Sequence, residues 1–284
     1  MSVPTAVADG IPTRFEVTGS GPPLLMFSPG GFDSTLESWR TVGIHRRLDL
    51  LGQLATRYTC ITFDRRESGR SGGRVERLTW DRYVAQAVGL LDHLGIERAH
   101  LVGACVGCSS AAAMAVAQPG RVRSTVLFSP AGGVRYRLRQ QDRFARHLAH
   151  VQAHGLDGVA ELVRASDAGF SADPRVGPWN SVIRTDPAFA AAYVAQDVAS
   201  YGLVVTGTAR LLFDRDTVPG PEPEDLLRLD VPALVVPGHD ESHAPSAAHY
   251  LRECLPRAQF WDAGPAGPTR ETAAARVMEF LGAV

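Results

Sequence analysis

The stretch that decides the fold reads His100-Leu101-Val102-Gly103-Ala104-Cys105-Val106-Gly107. An apolar segment typical of a buried strand leads into small residues around one nucleophilic side chain, and an alanine-rich segment typical of a helix follows. A nucleophile at such a turn occupies a strained backbone conformation, and glycines at 103 and 107 let the strand and the helix approach each other. We therefore predict that Cys105 lies at a sharp turn, at the start of a helix whose dipole favours the thiolate.

Apolar runs on both sides of this turn alternate with helical patterns. The predicted strands cover residues 24–27, 58–63, 100–103, 124–128, 233–236 and 259–261. The predicted helices cover about 35–57, 79–94, 106–118, 246–255 and 270–282. Most of the strands are continuous apolar runs, which is typical of strands buried on both faces of a parallel sheet. The sequence therefore predicts an α/β fold, a mostly parallel open sheet with helices on both faces.

This alternation is interrupted between Ala131 and about Leu229. Helical patterns at roughly 136–154, 156–166 and 186–213 follow one another there, and prolines at 219, 221 and 223 mark the return to the sheet. We predict a helical cap at 131–229, inserted into a core formed by residues 1–130 and 230–284.

Composition excludes several classes of function. The chain of 284 residues carries a net charge of −1, and no block of like charges indicates a nucleic-acid or membrane partner. All 29 basic residues are arginine, which excludes a lysine Schiff base. The first residues lack the pattern of a secretory signal, so we expect a cytoplasmic protein with reduced cysteines and a small-molecule substrate. The sequence does not fix the oligomeric state.

Four motifs in chain order resemble those of the α/β-hydrolase superfamily. They are the turn at Cys105, the segment Phe27-Ser28-Pro29-Gly30-Gly31-Phe32, the segment Asp64-Arg65-Arg66-Glu67-Ser68-Gly69-Arg70-Ser71-Gly72, and the segment Val231-Pro232-Ala233-Leu234-Val235-Val236-Pro237-Gly238. In the third motif, Glu67 replaces the usual glycine. The resemblance covers nearly the whole chain and implies hydrolase activity with a backbone oxyanion hole. That hole would use the N–H of Val106 and one N–H from Gly31 or Phe32.

The resemblance also implies a catalytic histidine in the loop after the last strand, and this chain has none there. Residues 262–270 contain no histidine. A cysteine depends less on a base than a serine does, although losing general acid catalysis costs about 10² to 10⁴ in rate. The loop Gly238-His239-Asp240-Glu241-Ser242-His243-Ala244-Pro245 offers replacements. His243 or His239 would serve Cys105, and Asp240 or Glu241 would supply the acid.

Weaker signals compete with these assignments. Cys105 and Cys108 form a Cys-x-x-Cys pair at a helix start, which also occurs in dithiol redox proteins. His147, His150 and His154 share a helix face, but no acidic or cysteine ligand accompanies them, so we predict no metal site. Phe32 and Trp179 are candidate substrate-binding residues between cap and core. No phosphate-binding glycine pattern occurs, so we predict no cofactor.

Three functions remain in competition at this point. The first is an enzyme that acts through Cys105 on a small, largely apolar carbonyl or ester-type compound. The second is a non-hydrolytic lyase, isomerase or cyclase without a working triad, which the absent histidine favours. The third is a ligand-binding protein on a retired hydrolase scaffold, since a fold alone never establishes activity. A pocket without ionisable groups near Cys105 would indicate the third.

Overall fold

The computed structural model describes residues 3–264 and 267–284, which contain one eight-stranded sheet. Its strands are β1 (Thr5–Ala8), β2 (Ile11–Thr18), β3 (Pro23–Phe27), β4 (Thr59–Phe63), β5 (Ala99–Cys105), β6 (Val122–Pro130), β7 (Ala233–Val236) and β8 (Ala258–Phe260). Their order across the sheet is β1-β2-β4-β3-β5-β6-β7-β8. The β1–β2 and β2–β4 pairs are antiparallel and the other neighbouring pairs are parallel. The predicted α/β class with a mostly parallel sheet is confirmed.

Helices cover both faces of this sheet. They are α1 (Ser38–Thr41), α2 (Gly43–Leu48), α3 (Leu50–Leu54), α4 (Trp80–His93), α5 (Gly107–Ala117), α6 (Val134–Ala165), α7 (Asn180–Thr185), α8 (Pro187–Val194), α9 (Val198–Leu212), α10 (Pro223–Leu227), α11 (Pro245–Cys254) and α12 (Arg270–Gly282). Alternate residues of β3 enter different cores, because successive strand side chains point to opposite faces. Leu25 packs with α4, α5 and α11, whereas Leu24 and Met26 pack with α3 and α12.

Two parts of the core differ from the sequence-based expectation. The sequence predicts one helix over about 35–57, and the structure has the three short helices α1, α2 and α3 instead. Val42 is extended and Asp49 has a positive φ of 45°, so a continuous helix is interrupted at both residues. The antiparallel strands β1 and β2 were not predicted. In β2 buried and exposed residues largely alternate, which is typical of a sheet with one covered face.

The chain between β6 and β7 forms the helices α6 to α10 and contains no strand among its residues, all of which are described. α6 bends at Gly155, whose φ of 68° divides it near the predicted boundary between two helices. The separation of this region as a cap domain at 131–229 stays a prediction. In the described part of the chain, no single helix is long and apolar enough to span a membrane; α8 and α9 reach that length and composition only together, across a bend of 108°.

Candidate active site

The predicted nucleophile Cys105 ends β5 and has a φ of 57°, the left-handed conformation that side-chain-bearing residues rarely adopt. The glycines around it are needed for space. A Cβ at Gly103 would lie 2.5 Å from the carbonyl oxygen of Gly107, and a Cβ at Gly107 would lie 2.2 Å from that of Phe27. The carbonyl of Cys105 accepts a hydrogen bond from Ala131 N at 3.2 Å, which ties the turn to the end of β6.

The loop after β7 brings two of the predicted catalytic residues together. Asp240 Oδ1 accepts hydrogen bonds from the backbone N–H groups of Ser242 at 2.8 Å and His243 at 3.1 Å, and it lies 2.8 Å from His243 Nδ1. A Cβ at Gly238 would lie 2.4 Å from His243 Cβ, so the glycine permits this tight loop. Gly132 N donates to Ser242 O at 3.0 Å, which fixes the loop against the chain that follows β6.

The electrostatics of His243 link this loop to Cys105. Burial by itself lowers the pKa of the His243 imidazole, but hydrogen bonding and charge from Cys105, together with those from Asp240, raise the pKa to about 9. The imidazolium in turn holds the pKa of Asp240 below its usual value, against the opposing effect of burial. His243 Nε2 is buried and has no well-aligned hydrogen bond within the described chain, but the ring lies near enough to Cys105 for the thiol to raise its pKa.

The other two candidates in this loop face away from Cys105. Glu241 is exposed and forms salt bridges with Arg135 at 3.2 Å and Arg139 at 2.7 Å, both near the start of α6. His239 Nε2 lies 3.3 Å from Asp262 Oδ1, in the loop after β8. The alternatives that the sequence left open therefore separate in space, with His243 and Asp240 on the Cys105 side.

His45 in α2 was missed by the sequence analysis. It is buried against Trp39 and Phe128, with ring centroids 5.5 and 6.0 Å away. Burial, followed by the charge of His243, lowers its pKa to about 3, so a neutral imidazole lies near the candidate site. An isolated histidine in a short helix carries no sequence signal that would have predicted this position.

The predicted oxyanion loop is held in one conformation. Gly30 and Gly31 have positive φ values of 122° and 63°, and Gly31–Asp33 form one 3₁₀ turn. The carbonyl of Phe32 accepts a 2.6 Å hydrogen bond from Ser68 Oγ, and the Asp33 carboxylate accepts backbone N–H groups of residues 170 and 171 at 3.2 and 3.1 Å. Val106 immediately precedes α5 and is buried. These contacts fix the backbone positions that were predicted to donate, and the donor roles themselves stay predictions.

The Asp64 motif holds the chain that follows the predicted oxyanion loop. Asp64 accepts the backbone N–H groups of Leu36 at 2.9 Å and Arg70 at 2.8 Å. Glu67, which replaces the usual glycine, has a positive φ of 65°, the conformation that glycine adopts without strain. Its carboxylate lies 3.0 Å from Arg66, and burial, partly offset by that arginine, raises its pKa to about 7. The sequence identified the motif, and the structure shows its positioning contacts.

Phe32 and Trp179 belong to the same large buried core, against which Cys105 also packs, but they make different contacts. Phe32 lies in an aromatic cluster within that core, which we define by Phe32, Tyr136, Phe144, Phe170 and Phe213. Trp179 is fully buried, and its indole N–H donates to the carbonyl of Arg74 at 2.8 Å. Both substrate-binding roles stay predictions, and the contacts of Trp179 are those of a packing residue.

The competing redox and metal interpretations gain no support. Cys108 is buried and its thiol donates to the carbonyl of Gly103 at 3.2 Å, while burial raises its pKa. Both ring nitrogens of His147 are engaged, Nδ1 with Arg175 O at 3.1 Å and Nε2 with the Tyr201 hydroxyl at 2.6 Å. Within residues 3–264 and 267–284, no group of three or more His, Cys, Asp or Glu side chains is placed to hold a metal ion.

An open, mostly parallel sheet with a nucleophile turn after its central strand defines an α/β hydrolase fold. The family model described as alpha/beta hydrolase fold matches residues 23–177, more than half of the chain, and the chain belongs to this family. A 2-hydroxymuconate semialdehyde hydrolase of Pseudomonas sp. (strain CF600) is 36% identical over 128 residues, which are 44% of this chain and 42% of that protein. Two curated relatives are 35% and 36% identical to this chain, and the matched region spans 32% and 42% of their respective lengths.

Two longer matches agree with this assignment. The 2-hydroxy-6-oxo-6-(2'-aminophenyl)hexa-2,4-dienoic acid hydrolase of Metapseudomonas resinovorans is 25% identical over 248 residues, 86% of this chain and 76% of that protein. The structure of a meta-cleavage product hydrolase from Pseudomonas fluorescens IP01 superimposes with a TM-score of 0.61 at 20% identity, covering 98% of this chain and 97% of that chain. These relatives are hydrolases, and the structural match shows the shared fold.

Proposed function

We propose that this protein is a hydrolase that uses Cys105 as its nucleophile, with His243 as acid and base and Asp240 as the carboxylate that orients the imidazole. The observation that carries the proposal is the position of His243, between the Asp240 carboxylate at 2.8 Å and the Cys105 thiol that raises its pKa. Both His243 and Asp240 come from the loop after β7. Covalent catalysis requires a nucleophile next to a base that is in turn held by an orienting group, and Cys105, His243 and Asp240 would fill these roles in that order.

The proposed chemistry proceeds in two balanced steps. The Cys105 thiolate attacks the substrate carbonyl carbon, and backbone N–H groups of Val106 and of Gly31 or Phe32 stabilise the oxyanion that forms. As the intermediate collapses, the bond to the leaving group breaks and the His243 imidazolium gives its proton to that group. Water then attacks the thioester while His243 takes one of its protons, and the carbon–sulfur bond breaks to release the acid, which restores the Cys105 thiolate and the His243 imidazolium.

The surroundings of Cys105 support a small, largely apolar substrate. Cys105 packs against a large buried core that consists mainly of apolar side chains and includes Phe32, Phe144 and Phe213. The names of the two relatives, a semialdehyde hydrolase and an oxo-dienoic acid hydrolase, describe small carbonyl compounds. A ligand-binding protein on a retired hydrolase scaffold would have no ionisable groups near Cys105. The imidazole of His243 lies there, which argues against that function.

Alkylation of Cys105 tests the thiol–imidazole pair directly. We expect iodoacetamide to modify Cys105 at pH 6.5, because a neighbouring imidazolium stabilises the thiolate, and His243→Ala to lower that rate by about tenfold or more. Residue-specific modification is measured by mass spectrometry across pH. His239→Ala is the matched control, because its ring contacts Asp262, and it should react like the wild type. A Cys105 that reacts equally in all three proteins would refute the pair.

A further inference from the structure

Two neighbouring buried arginines differ completely in their partners. Arg66 is surrounded by three carboxylates, with Asp9 and Glu67 each at 3.0 Å and Glu76 also in contact. Arg65 is 8% exposed, and its Nε and Nη2 atoms are buried without a hydrogen-bond partner in the described part of the chain. A buried cation normally has a partner, since removing a charge from water without compensation is strongly unfavourable.

Aromatic rings account for only part of the surroundings of Arg65. The guanidinium carbon lies 4.5 Å from the ring centroid of Tyr83 and 5.3 Å from that of Phe32. Ring faces attract a cation but accept no directed N–H hydrogen bond of normal strength. The buried N–H groups of Arg65 are therefore left for an acceptor that is not one of the described residues.

The guanidinium of Arg65 lies beside the candidate active site. It contacts Phe32 of the predicted oxyanion loop, whose ring belongs to the buried core against which Cys105 packs. A small cavity of about 10 Å³ is lined by Arg65, Ser28 and Gly107, and Ser28 Oγ is also buried without a partner among the described residues. Cys105 and Arg65 both act on the Tyr136 hydroxyl. Burial, followed by the Cys105 charge, raises the pKa of this hydroxyl, and the charges of Arg143 and Arg65 oppose that rise.

Arg143 of α6 adds a second positive charge on the other side of this region. Its only hydrogen bond among the described residues goes to Gln140 Oε1 at 3.1 Å, and it forms no salt bridge within them. Burial lowers its pKa, and the nearby Tyr136, Asp33 and Asp142 oppose that shift only in part. Arg65 and Arg143 thus place two positive charges near the Tyr136 hydroxyl, which the Cys105 charge also reaches.

We propose that Arg65, assisted by Arg143, binds an anionic group, a carboxylate on the acyl part of the substrate. The proposal rests on the proposed function and makes its substrate more specific: an apolar acyl chain that ends in a carboxylate. The planar guanidinium matches carboxylate geometry, and a charge-assisted hydrogen bond in a site shielded from water is stronger than an exposed one.

Charged and neutral substrates together test this specificity. The mono-p-nitrophenyl esters of succinic, glutaric and adipic acid carry a free carboxylate, and p-nitrophenyl butyrate is a neutral control of similar size. We expect Arg65→Met to reduce kcat/KM for the best hemiester by about 10- to 100-fold more than for the butyrate. Arg135→Met removes an exposed arginine that pairs with Glu241, and its hemiester-to-butyrate ratio should stay within about twofold of wild type.

Alkylation of Cys105 provides a second readout that does not need turnover. Iodoacetate and iodoacetamide have nearly the same shape, and both react with the thiolate, so the ratio of their rates cancels the thiolate fraction. We expect Arg65→Met to lower the iodoacetate-to-iodoacetamide ratio at Cys105 by about tenfold, Arg143→Gln to lower it less, and Arg135→Met to leave it within about twofold.

These outcomes separate the two proposals. If Cys105 reacts but no p-nitrophenyl ester is hydrolysed, the hydrolase proposal fails and the rate ratio still decides the anion site. If Arg65→Met reduces the hemiester and butyrate reactions equally, or leaves the alkylation ratio unchanged, Arg65 only supports the oxyanion loop and the anion proposal is wrong. Arg65→Lys, which keeps the charge, should recover part of both ratios in a folded protein.

Discussion

The loops after β7 and β8 begin side by side and hold very different groups. The loop after β7 places Asp240 and His243 in contact with each other, with His243 beside Cys105. The described residues of the loop after β8 include Asp262, which meets His239 from the β7 loop. Since the carboxyl ends of parallel strands open at the same edge of the sheet, a base can reach the nucleophile from either loop. Catalytic geometry constrains position in space more than position along the chain.

The β7 loop holds both groups because of its local chemistry. A carboxylate that accepts the backbone N–H groups two and three residues later forms a tight turn, and this turn places the side chains at positions 240 and 243 on the same side. Glycine at 238 leaves room for the imidazole to fold back. Because Asp240 and His243 are only three residues apart, a single loop supplies the contact between acid and histidine that would otherwise need residues from two loops.

The largest expected effect distinguishes the two histidines of the β7 loop. His243→Ala removes the proposed general acid and base and should lower kcat/KM for p-nitrophenyl butyrate by about 10² to 10⁴. His239→Ala, whose ring contacts Asp262, should change it by less than about threefold. Steady-state kinetics at pH 7 measure both, and equal losses would place the base elsewhere.

The next effect distinguishes the two acids. Asp240→Asn keeps the shape of the side chain but removes the charge that orients and stabilises the imidazolium, so kcat/KM should fall by about 10- to 100-fold. Glu241→Gln breaks exposed salt bridges to Arg135 and Arg139 and should alter it by less than about twofold. A larger loss in Glu241→Gln than in Asp240→Asn would contradict the assignment of the acid.

The smallest effect concerns stability and pH. The folded state raises the pKa of His243 to about 9 from an unfolded value of about 6.5, so the folded protein binds this proton more tightly. The resulting stabilisation is fully present below about pH 6.5 and is lost as the pH rises through 9. Thermal unfolding between pH 6 and 10 should show a steeper alkaline decline for wild type and His239→Gln than for His243→Gln.

The sequence predicted the elements that depend on local pattern. Glycines at 103 and 107 indicated a tight turn, and the distances to Gly107 O and Phe27 O explain why no side chain fits there. The helix over 35–57 was wrong because a positive φ at Asp49 and an extended Val42 carry little sequence signal. Arg65 and Arg66 are adjacent and alike in sequence, and only tertiary contacts give Arg66 salt bridges to three carboxylates, whereas Arg65 forms none within the described residues.

The sequence by itself determined the fold class, the strained position of Cys105 and the short segment that contains both His243 and Asp240. It left His239 against His243 and Asp240 against Glu241 undecided, since all four lie within five consecutive residues. The tertiary structure separated them: Asp240 turns His243 toward Cys105, while Arg135 and Arg139 draw Glu241 outward and Asp262 meets His239. The physical reason is that a side chain's direction within a loop depends on partners from distant parts of the chain, which local sequence patterns do not record.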